Sequence, residues 1–487
     1  MILDAQWIKP PFEVEDGAIC FSRNFDFEGN VVAAALAVTA MGTYVAELNG
    51  QRVGRELLRP GCTVYTKRLQ YQTYDVLPLL QARNRLVITV GKGWYHSRLS
   101  AKLPEVHETP HALLAELTIR LADGGTMVLR TDDTWQVCRS NTIFNDLWDG
   151  ETVDLTMPEQ KTQPAVTVAL EKAQLIPQEG SRLVEQQVLY PVRSFVTPTG
   201  ERVLDFGQEI SGYAEITLDA HAGDRVVLTC AEMLDAEGNF YNANYRTAKS
   251  CMTMICREGR QTWKPAFTFY GFRYLRLDEY PGTPETDSIR AIAIWPEMER
   301  TGTIRTSDLR LNRLVENSVW SQRNNFIDIP TDCPQRDERM GWTGDAQVFS
   351  LAACYHYHCK SFLEKWMGDL RADQRADGSI PDTVPNFWQI ERSSAAWGDV
   401  MTVMPWRVYL MFGDIRTLED NFGAMQRWVD YITADTLEPD LWIGPDDSDK
   451  MWQKHYGDWL ALDAREGSYH GATPNDLVAS ACYAWST

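Results

Sequence analysis

The sequence predicts separate all-β and all-α domains, with two β-sandwiches followed by a helical domain. Short segments of alternating apolar and polar residues, bounded by turn signals, run from residue 1 to about residue 300. Apolar residues at helical spacing replace them after about residue 305. The 487 residues suffice for about three domains. Runs of strands followed by runs of helices indicate consecutive domains rather than a βαβ weave.

The first predicted domain, residues 1–165, is a β-sandwich. Residues 42–54 are strand-like on both sides of Asn49-Gly50, a favoured two-residue hairpin turn. Residues 111–137 hold two further alternating runs around a glycine-containing turn. Short strands with regular turn signals are typical of a β-sandwich. A polar, proline-containing stretch near residue 165 predicts the linker that ends this domain.

The second predicted domain, residues 185–300, is a smaller β-sandwich. Alternating residues run from 201 to 234, with a turn at Gly223 and Asp224. Residues 267–282 and 289–299 have the composition of further strands. The region contains no comparable helical stripe, so we expect it to be all-β.

The helical region, residues 305–487, opens at Ser307 and Asp308, where an aspartate suits the N-cap position. Periodicity predicts a helix from there through Val319 and further helices at about 344–357, 360–376, 397–412, 417–433 and 475–487. Helices joined by variable loops suit a bundle, a solenoid or an α/α barrel. Periodicity alone does not choose among these three.

The last predicted helix follows Thr473 and Pro474, which suit the N-cap and the first helical position. One face carries the apolar residues Leu477, Val478, Ala481, Cys482 and Trp485. The sequence ends there without a C-terminal cap. A natural domain rarely stops inside an amphipathic helix, so we expect the chain to be truncated at its C-terminus.

Charge and composition exclude several partners. The net charge is −20 and there is no basic run, so nucleic acid and anionic membrane surfaces are not expected partners. No apolar stretch approaches about 20 residues, and the N-terminus has no signal-peptide pattern. The ten cysteines form no CxxC pair, which favours reduced thiols and a cytoplasmic protein. We expect no cofactor, and homo-oligomerisation stays open.

Two clusters invite a metal interpretation, and we favour neither. The Cys/His cluster comprises Cys354, His356, His358 and Cys359. Cys354 and His358 would share a helix face at i, i+4, but no second ligand pair has a convincing spacing. The acidic cluster comprises Asp446, Asp447 and Asp449. It lacks the loop glycine and terminal bidentate glutamate of a calcium loop. We therefore predict no metal site.

The most concentrated chemical motif is residues 328–347, between two predicted helices. Its charged residues are Asp328, Asp332, Arg336, Asp337, Glu338, Arg339 and Asp345, and Trp342 lies among them. Glycoside hydrolysis needs a carboxylic acid to protonate the leaving oxygen and a carboxylate to activate water or attack the sugar. Crowded carboxylates raise one another's pKa, as a general acid requires. The alternative is a solvated charged loop, but a tryptophan is not expected in such a loop.

Tryptophan distribution also favours a sugar ligand. Eleven of the seventeen tryptophans lie after residue 301, and pyranose C–H faces stack on aromatic rings. Trp320, Trp366 and Trp428 occur in apolar helical stripes, so we assign them to the core. The remaining tryptophans of interest fall in or beside polar loops, and together they predict a sugar-binding cleft. They are Trp342, Trp388, Trp397, Trp442, Trp452 and Trp459.

At these residues the chain resembles the inverting α-L-rhamnosidases of glycoside hydrolase family 78. Residues 331–347, TDCPQRDERMGWTGDAQ, are very similar to that family's acidic signature. Further matches follow in order along the chain at DGETVD (149–154), DFGQ (205–208), FTFYGFRYL (267–275), YGDWL (456–460) and TPNDLVASACYAWS (473–486). One departure follows DFGQ, where Glu209 stands in place of the expected asparagine.

The resemblance implies two β-sandwich domains followed by an (α/α)6 barrel, which would be incomplete here. It also implies inverting hydrolysis of terminal non-reducing α-L-rhamnosyl groups from small-molecule or oligosaccharide rhamnosides. Glu338 would be the general acid. The substrate-binding residues would be Asp332, Arg336, Trp342, Asp345, Trp397 and Trp459. The family's general base is a glutamate on a later barrel loop, which is not in the chain. We therefore expect the 487-residue polypeptide to have little or no activity.

Two other classes of function stay open. Another α/α-barrel glycosidase or a polysaccharide lyase has a similar helical pattern, although a lyase would favour a Tyr/His pair and a basic subsite. A non-catalytic carbohydrate-binding protein would use paired sandwiches and surface aromatics, such as Trp94, Tyr95 and His96. A preference for another sugar, or binding without turnover, would distinguish these alternatives from a rhamnosidase.

Overall fold

The computed structural model describes residues 2–285, 287–443 and 455–487, and it has the predicted order of β and then α. All but two of the described strands lie before residue 297, and six long helices are described from Leu309 onward. The two β-rich units and the helical domain after them confirm the predicted fold class. Among the described residues, no helix is long and apolar enough to cross a bilayer.

The elements have the following bounds. Strands β1–β15 are Trp7–Lys9, Ile19–Asp26, Val31–Met41, Thr43–Leu48, Gln51–Arg52, Leu69–Asp75, Arg83–Gly91, Ala112–Leu121, Thr126–Arg130, Gln136–Arg139, Thr142–Asp146, Gly150–Asp154, Gln163–Pro164, Val166–Val168 and Leu175–Pro177. Strands β16–β27 are Leu183–Leu189, Arg193–Val196, Arg202–Ala220, Arg225–Ala231, Met233–Leu234, Phe240–Tyr241, Cys251–Ile255, Gly259–Trp263, Tyr270–Glu279, Ile289–Pro296, Phe326–Ile327 and Ile329–Pro330. Helices α1–α8 are Gly93–His96, Pro104–His107, Leu309–Asn325, Thr343–His356, Lys360–Asp373, Val400–Phe412, Arg416–Asp435 and Asn475–Ser486.

The first β unit is a sandwich of two sheets. One has the order β14-β1-β8-β3-β6-β15 with β9 beside β8, and the other has the order β13-β10-β2-β7-β4-β5. Alternate residues of β3, including Leu36 and Val38, face Phe21 and Ile88 of the other sheet in one apolar core. The predicted hairpin turn is confirmed, because Asn49 has a φ of 57° and joins β4 to β5.

The second β unit is one ten-stranded sheet in the order β11-β12-β22-β19-β24-β18-β25-β16, with β17 and β23 also pairing with β18. The 19-residue strand β18 has a bulge between Asp205 and Ile210, where its partner register shifts. The hairpin β11–β12, residues 142–154, belongs to this sheet although it falls within predicted domain 1–165. Strands β13–β15 then return to the first sandwich.

The predicted surface aromatics at residues 94–96 are instead buried. Strand β7 ends at Gly91, and residues 93–96 form the short helix α1. Trp94 is fully buried, and its ring centroid lies 6.3 Å from that of Phe269 in the second β unit. Tyr95 and His96 are also buried. The prediction of a surface sugar platform here is wrong, because these rings fill the core between the two β units.

The helices agree closely with the predicted runs. The Asp308 side chain accepts a hydrogen bond from the Arg310 N–H at the start of α3, as an N-cap does. Trp366 and Trp428 are fully buried, as predicted, and Trp320 is half-buried against Trp295. The helix α8 begins at Asn475, where the predicted run 475–487 starts, but Pro474 is its N-cap rather than its first helical residue.

The buried face of α8 differs from the predicted apolar face. Ala479 and Tyr483, four residues apart, are buried, and the Tyr483 hydroxyl lies 2.7 Å from the Thr433 hydroxyl of α7. Leu477 and Trp485 of the predicted face are exposed. The register is therefore set by contact with α7, which periodicity within α8 alone did not reveal.

A buried ion cluster joins the first sandwich to the helical domain. Asp328, between β26 and β27, accepts hydrogen bonds from Arg59 (Nη1 to Oδ1, 2.9 Å) and from the Cys62 N–H (2.6 Å). Lys365 of α5 lies 3.3 Å from Asp328 Oδ2 and 3.2 Å from Asp369 Oδ2. All four charged side chains are at least 95% buried. Burial raises the pKa of Asp328, but Lys365 and Arg59 outweigh it and hold that pKa below its usual value.

Replacing Asp328 by Asn should destabilise the protein by about 3–5 kcal/mol, because it leaves buried cations without their counter-charge. The midpoint of urea unfolding, followed by tryptophan fluorescence, measures the loss. The control Arg225→Gln breaks the exposed pair with Glu279 and should cost at most about 1 kcal/mol. Equal effects of the two substitutions would contradict the role assigned to the cluster.

Candidate active site

The acid loop, residues 331–342, connects β27 to α4 and carries most of the predicted site residues. Its two ends are drawn together because the Asp332 N–H donates to the Met340 carbonyl at 2.8 Å. Cys333 and Arg339 adopt positive φ angles of 54° and 59°, which lets the chain double back within a few residues. At the end of the loop, the Gly341 carbonyl accepts from the Val384 N–H at 2.9 Å.

Arg339 attaches the acid loop to the second β unit. Its guanidinium is fully buried and donates to the backbone carbonyls of Leu147, Phe269 and Gln335. Burial lowers its pKa to about 10. The guanidinium has several donors in a fixed planar arrangement, so it ties three separate backbone segments together beneath the loop.

Glu338, the predicted general acid, is buried and held by two arginines. Its Oε2 accepts from Arg336 Nε at 2.8 Å, and Arg246 Nη1 lies 3.3 Å from the same oxygen. Only 6% of Glu338 is exposed, so the solvated-loop alternative does not describe this residue. Arg246 comes from the second β unit and was missed in the sequence, because no local motif connects it with residue 338.

The charge of Glu338 acts on two nearby carboxyl groups, those of Asp332 and Asp345. An oxygen of Asp332, the sulfur of Cys333 and an oxygen of Glu338 lie within 4.8 Å of one another. Burial, followed by the charges of Asp345 and Glu338, raises the pKa of Asp332 to about 6. Asp345, in the first turn of α4 as predicted, also has a raised pKa, because of burial and the charge of Glu338.

A cavity of about 570 Å³ opens beside these groups. It brings together four of the predicted substrate-binding residues: Asp332, Asp345, Trp397 and Trp459. Phe326, Phe349 and Asp458 also line it. Arg336, Glu338 and Trp342 do not line it directly. The combination of carboxylates and aromatic rings suits a ligand with hydroxyl groups and apolar C–H faces.

Tyr456 organises the aromatic wall of the cavity. Its ring centroid lies 4.1 Å from that of Trp397, 5.2 Å from Trp459 and 6.4 Å from Trp342. Gly344 permits this packing, since a Cβ there would lie 2.7 Å from the Trp397 ring. The buried indole N–H groups of Trp342 and Trp397 have no partner among the described residues. Of these two residues, Trp397 lines the cavity and Trp342 packs behind it against Tyr456.

Two other tryptophans of the predicted cleft group lie elsewhere. Trp442 is fully buried, with its ring centroid 5.7 Å from that of Trp428, so it belongs to the core. Trp388 is half-buried, and Lys102 Nζ lies 5.6 Å from its ring. Sequence composition did not separate these from the cavity residues, because loop tryptophans fill cores as readily as they line clefts. Trp452 and the acidic residues Asp446, Asp447 and Asp449 lie outside the described residues.

The geometry at the Cys/His cluster differs from the helical arrangement considered in the sequence. Helix α4 ends at His356, so Cys354 and His358 do not share one helix face. The sulfurs of Cys354 and Cys359 lie 3.8 Å apart in the interior. His356 Nδ1 lies 3.1 Å from the Gln322 side-chain oxygen, and His358 packs against Phe412. These contacts account for all four side chains by packing.

Glu209, the departure from the family pattern, lies where β18 meets the end of α3. Its Oε2 accepts from the Asn324 side chain at 2.6 Å. Burial and the nearby charge of Glu232 raise the pKa of Glu209 to about 8, so the carboxyl group is protonated at neutral pH. The same Asn324 accepts from the Ser211 N–H at 3.0 Å. Glu209 thus makes a polar contact, through Asn324, between the second β unit and the helical domain.

Three consecutive family models match the chain. They are the α-L-rhamnosidase N-terminal domain over residues 29–194, the bacterial α-L-rhamnosidase concanavalin-like domain over 196–295 and the bacterial α-L-rhamnosidase six-hairpin glycosidase domain over 299–487. The chain belongs to the α-L-rhamnosidase family. The six-hairpin match confirms an α/α barrel rather than a bundle or a solenoid. The described residues supply six long helices of the twelve that six hairpins contain.

Known α-L-rhamnosidases are similar along the whole chain. One from Formosa agariphila is 32% identical over 99% of the chain and 54% of its own length. The Aspergillus terreus structure superposes with a TM-score of 0.91 at 32% identity, covering 100% of this chain and 58% of that one. The Streptomyces avermitilis structure, complexed with L-rhamnose, gives 0.87 at 33% identity, with 97% and 46% coverage. The chain spans about half the length of the curated relatives it matches.

Replacing Asp332 by Asn should stabilise this rhamnosidase-family chain at pH 8 by about 1–3 kcal/mol. The folded state raises the pKa of Asp332 from 3.8 to about 6, so the charged carboxylate opposes folding above about pH 6. That penalty disappears as the pH falls toward 4, and the advantage of the variant should disappear with it. Thermal unfolding at pH 8, 6 and 4.5 measures the difference.

Asp377→Asn is the matched control for the Asp332 substitution. Although burial raises the pKa of Asp377, hydrogen bonds from Ser379 outweigh it and lower that pKa overall. The control should therefore be neutral or destabilising at pH 8, with the effect fading as the pH falls. If Asp332→Asn were destabilising at pH 8, the crowded-carboxylate account of this site would be wrong.

Proposed function

We propose that the protein hydrolyses terminal non-reducing α-L-rhamnosyl groups of rhamnosides, with inversion at the anomeric carbon. The observation that carries the proposal is the convergence of Asp332, Asp345, Trp397 and Trp459 on one cavity beside buried Glu338. Relatives named α-L-rhamnosidase and a related structure holding L-rhamnose support the same sugar.

Each group has a role that its chemistry suits. Glu338 donates a proton to the leaving oxygen, while its arginine contacts stabilise the carboxylate that remains. Asp332 and Asp345 hold hydroxyl groups of the rhamnosyl ring, whereas Arg336, predicted for the same role, donates to Glu338 Oε2. Trp397 and Trp459 present aromatic faces to its C–H groups, and Trp342 lies behind them against Tyr456. A neutral sugar is compatible with a chain of net charge −20.

The general base is the group that we do not assign to any residue of the chain. Inversion needs a second carboxyl group about 6.5–9.5 Å from the acid, with room for the attacking water. Asp332 and Glu338 are closer than that, within 4.8 Å. We therefore propose that the 487-residue chain binds rhamnose with little turnover by itself. Sugar binding without catalysis is the second candidate function for this polypeptide.

Location and assembly are also proposals. We propose a cytoplasmic protein, supported by ten cysteines that are all free thiols in the structure. A small-molecule or oligosaccharide rhamnoside is the proposed partner. No nucleic-acid or membrane partner is proposed, because the charge pattern is unfavourable to both.

Replacing Glu338 by Gln tests the proposed function in the complete product of the encoding reading frame. Hydrolysis of methyl α-L-rhamnoside, whose alkoxide leaving group needs the proton, should fall at neutral pH by about 10²–10⁴-fold, because the amide cannot donate it. The affinity for L-rhamnose, measured by calorimetry, should stay within about threefold, since Gln preserves the size of the side chain.

The control for this experiment is Glu316→Gln, an identical change at a surface pair with Arg300. It should leave both turnover and binding unchanged. Full activity of the Glu338→Gln variant would show that Glu338 is not the general acid. A complete wild-type product that bound L-rhamnose but hydrolysed no rhamnoside would favour the binding function instead.

A further inference from the structure

The loop at residues 242–250 of the second β unit brings the Arg246 guanidinium into contact with the carboxyl group of Glu338, the proposed general acid. Arg246 Nη1 lies 3.3 Å from Glu338 Oε2 and 3.6 Å from Asp337 Oδ1. Its backbone has a φ of 58° and a ψ of −111°, a combination that is sterically unfavourable for a residue with a Cβ atom. Such a conformation persists only where surrounding contacts enforce it.

The neighbouring residue, Thr247, supplies those contacts. Its N–H and hydroxyl both donate to Asp337 Oδ2, at 3.2 and 2.6 Å. Arg98 Nη2 donates to the Thr247 hydroxyl at 3.0 Å. Three residues further on, the Ser250 hydroxyl donates to the Gln335 carbonyl at 3.3 Å. The 242–250 loop is therefore attached to the acid loop at Thr247 and Ser250, immediately after Arg246.

The two arginines approach the same oxygen of Glu338. Arg336 Nε and Arg246 Nη1 both lie at Oε2, and Oε1 receives no hydrogen bond from the residues that the structure describes. In a protonated carboxyl group, one oxygen carries the proton and the other accepts hydrogen bonds. With Arg336 Nε donating to Oε2 and Arg246 Nη1 at 3.3 Å from it, Oε2 is the accepting oxygen, which leaves Oε1 to carry the proton when Glu338 acts as an acid.

We propose that Arg246 is a positioning residue for the general acid: with Arg336 it fixes Oε2 of Glu338, so that Oε1 delivers the proton. This inference rests on the proposed function. The proton passes from Oε1 to the glycosidic oxygen as the bond from that oxygen to the anomeric carbon breaks. The bonding electron pair stays with the leaving oxygen. Water forms the new bond to carbon and gives its proton to the base.

Leaving-group chemistry separates this role from a merely structural one. An alkoxide leaves poorly, so methyl α-L-rhamnoside needs full protonation by the acid in the transition state. A 2,4-dinitrophenolate leaves readily without a proton. A defect in the delivery of the proton therefore slows the first substrate much more than the second. A distorted sugar site would slow both substrates alike.

The test is Arg246→Gln in the complete product of the reading frame, with both substrates. We expect kcat/KM for methyl α-L-rhamnoside to fall about 10–100-fold and that for the dinitrophenyl rhamnoside to fall less than about threefold. Arg246→Lys, which keeps the charge, should recover part of the loss. The control Lys249→Gln removes a cation from the same loop, where it pairs with Asp149, and should leave both values unchanged.

Three outcomes would overturn the inference. Equal loss on both substrates would make Arg246 structural, and no loss on either would make it irrelevant to catalysis. A control that reproduced the selective loss would indicate a general effect of charge in the loop. The failure of the proposed function is distinguishable, because the wild-type protein would then hydrolyse neither rhamnoside.

Discussion

The acid loop is held in place from beneath by buried charges, and the geometry of the site depends on that attachment. Before the loop, Asp328 is bound by Arg59 of the first sandwich and by Lys365 of α5. Within the loop, Arg339 donates to carbonyls of the second β unit. A charge buried without its partner costs several kcal/mol. Each of these contacts therefore has one strongly favoured geometry, and together they fix the conformation of the acid loop.

This attachment makes both β units part of the site rather than appendages of a helical enzyme domain. The second unit adds Arg246 directly to Glu338, while the first fixes the start of the loop through Arg59. Groups that are ordered before a ligand arrives avoid reorganisation during the reaction. Asp332 is correspondingly crowded among carboxylates. That crowding is tolerated because the surrounding contacts prevent the loop from relaxing into solvent.

Local patterns in the sequence were enough for the order of domains, the helix positions and the choice of the acid loop. Helical spacing and the Asp308 cap located α3, and the density of carboxylates around Trp342 singled out the segment that lies beside the cavity. Contacts between distant segments were not predictable in the same way. Nothing near residue 246 indicates proximity to residue 338, and the central position of Tyr456 follows only from tertiary packing.

The tryptophans show a second limit of prediction from local sequence. Trp397 and Trp442 both occur in polar loops, yet one lines the cavity and the other fills the core. The different locations of these two side chains depend on which helices pack against each loop. The composition of the loop does not predict that packing. Residue roles such as proton donor came from family resemblance, because a carboxylate-rich segment by itself does not distinguish a donor from a hydroxyl-binding group.

The most direct test of the central claim is a crystal structure of the protein with L-rhamnose. The sugar ring should lie in the cavity, with hydroxyl groups within hydrogen-bond distance of Asp332 and Asp345. Its C–H face should contact Trp397 or Trp459, and its anomeric carbon should face Glu338 Oε1. The acid loop should keep its present contacts with both β units. A sugar bound elsewhere, or an acid loop rebuilt around the ligand, would contradict the account.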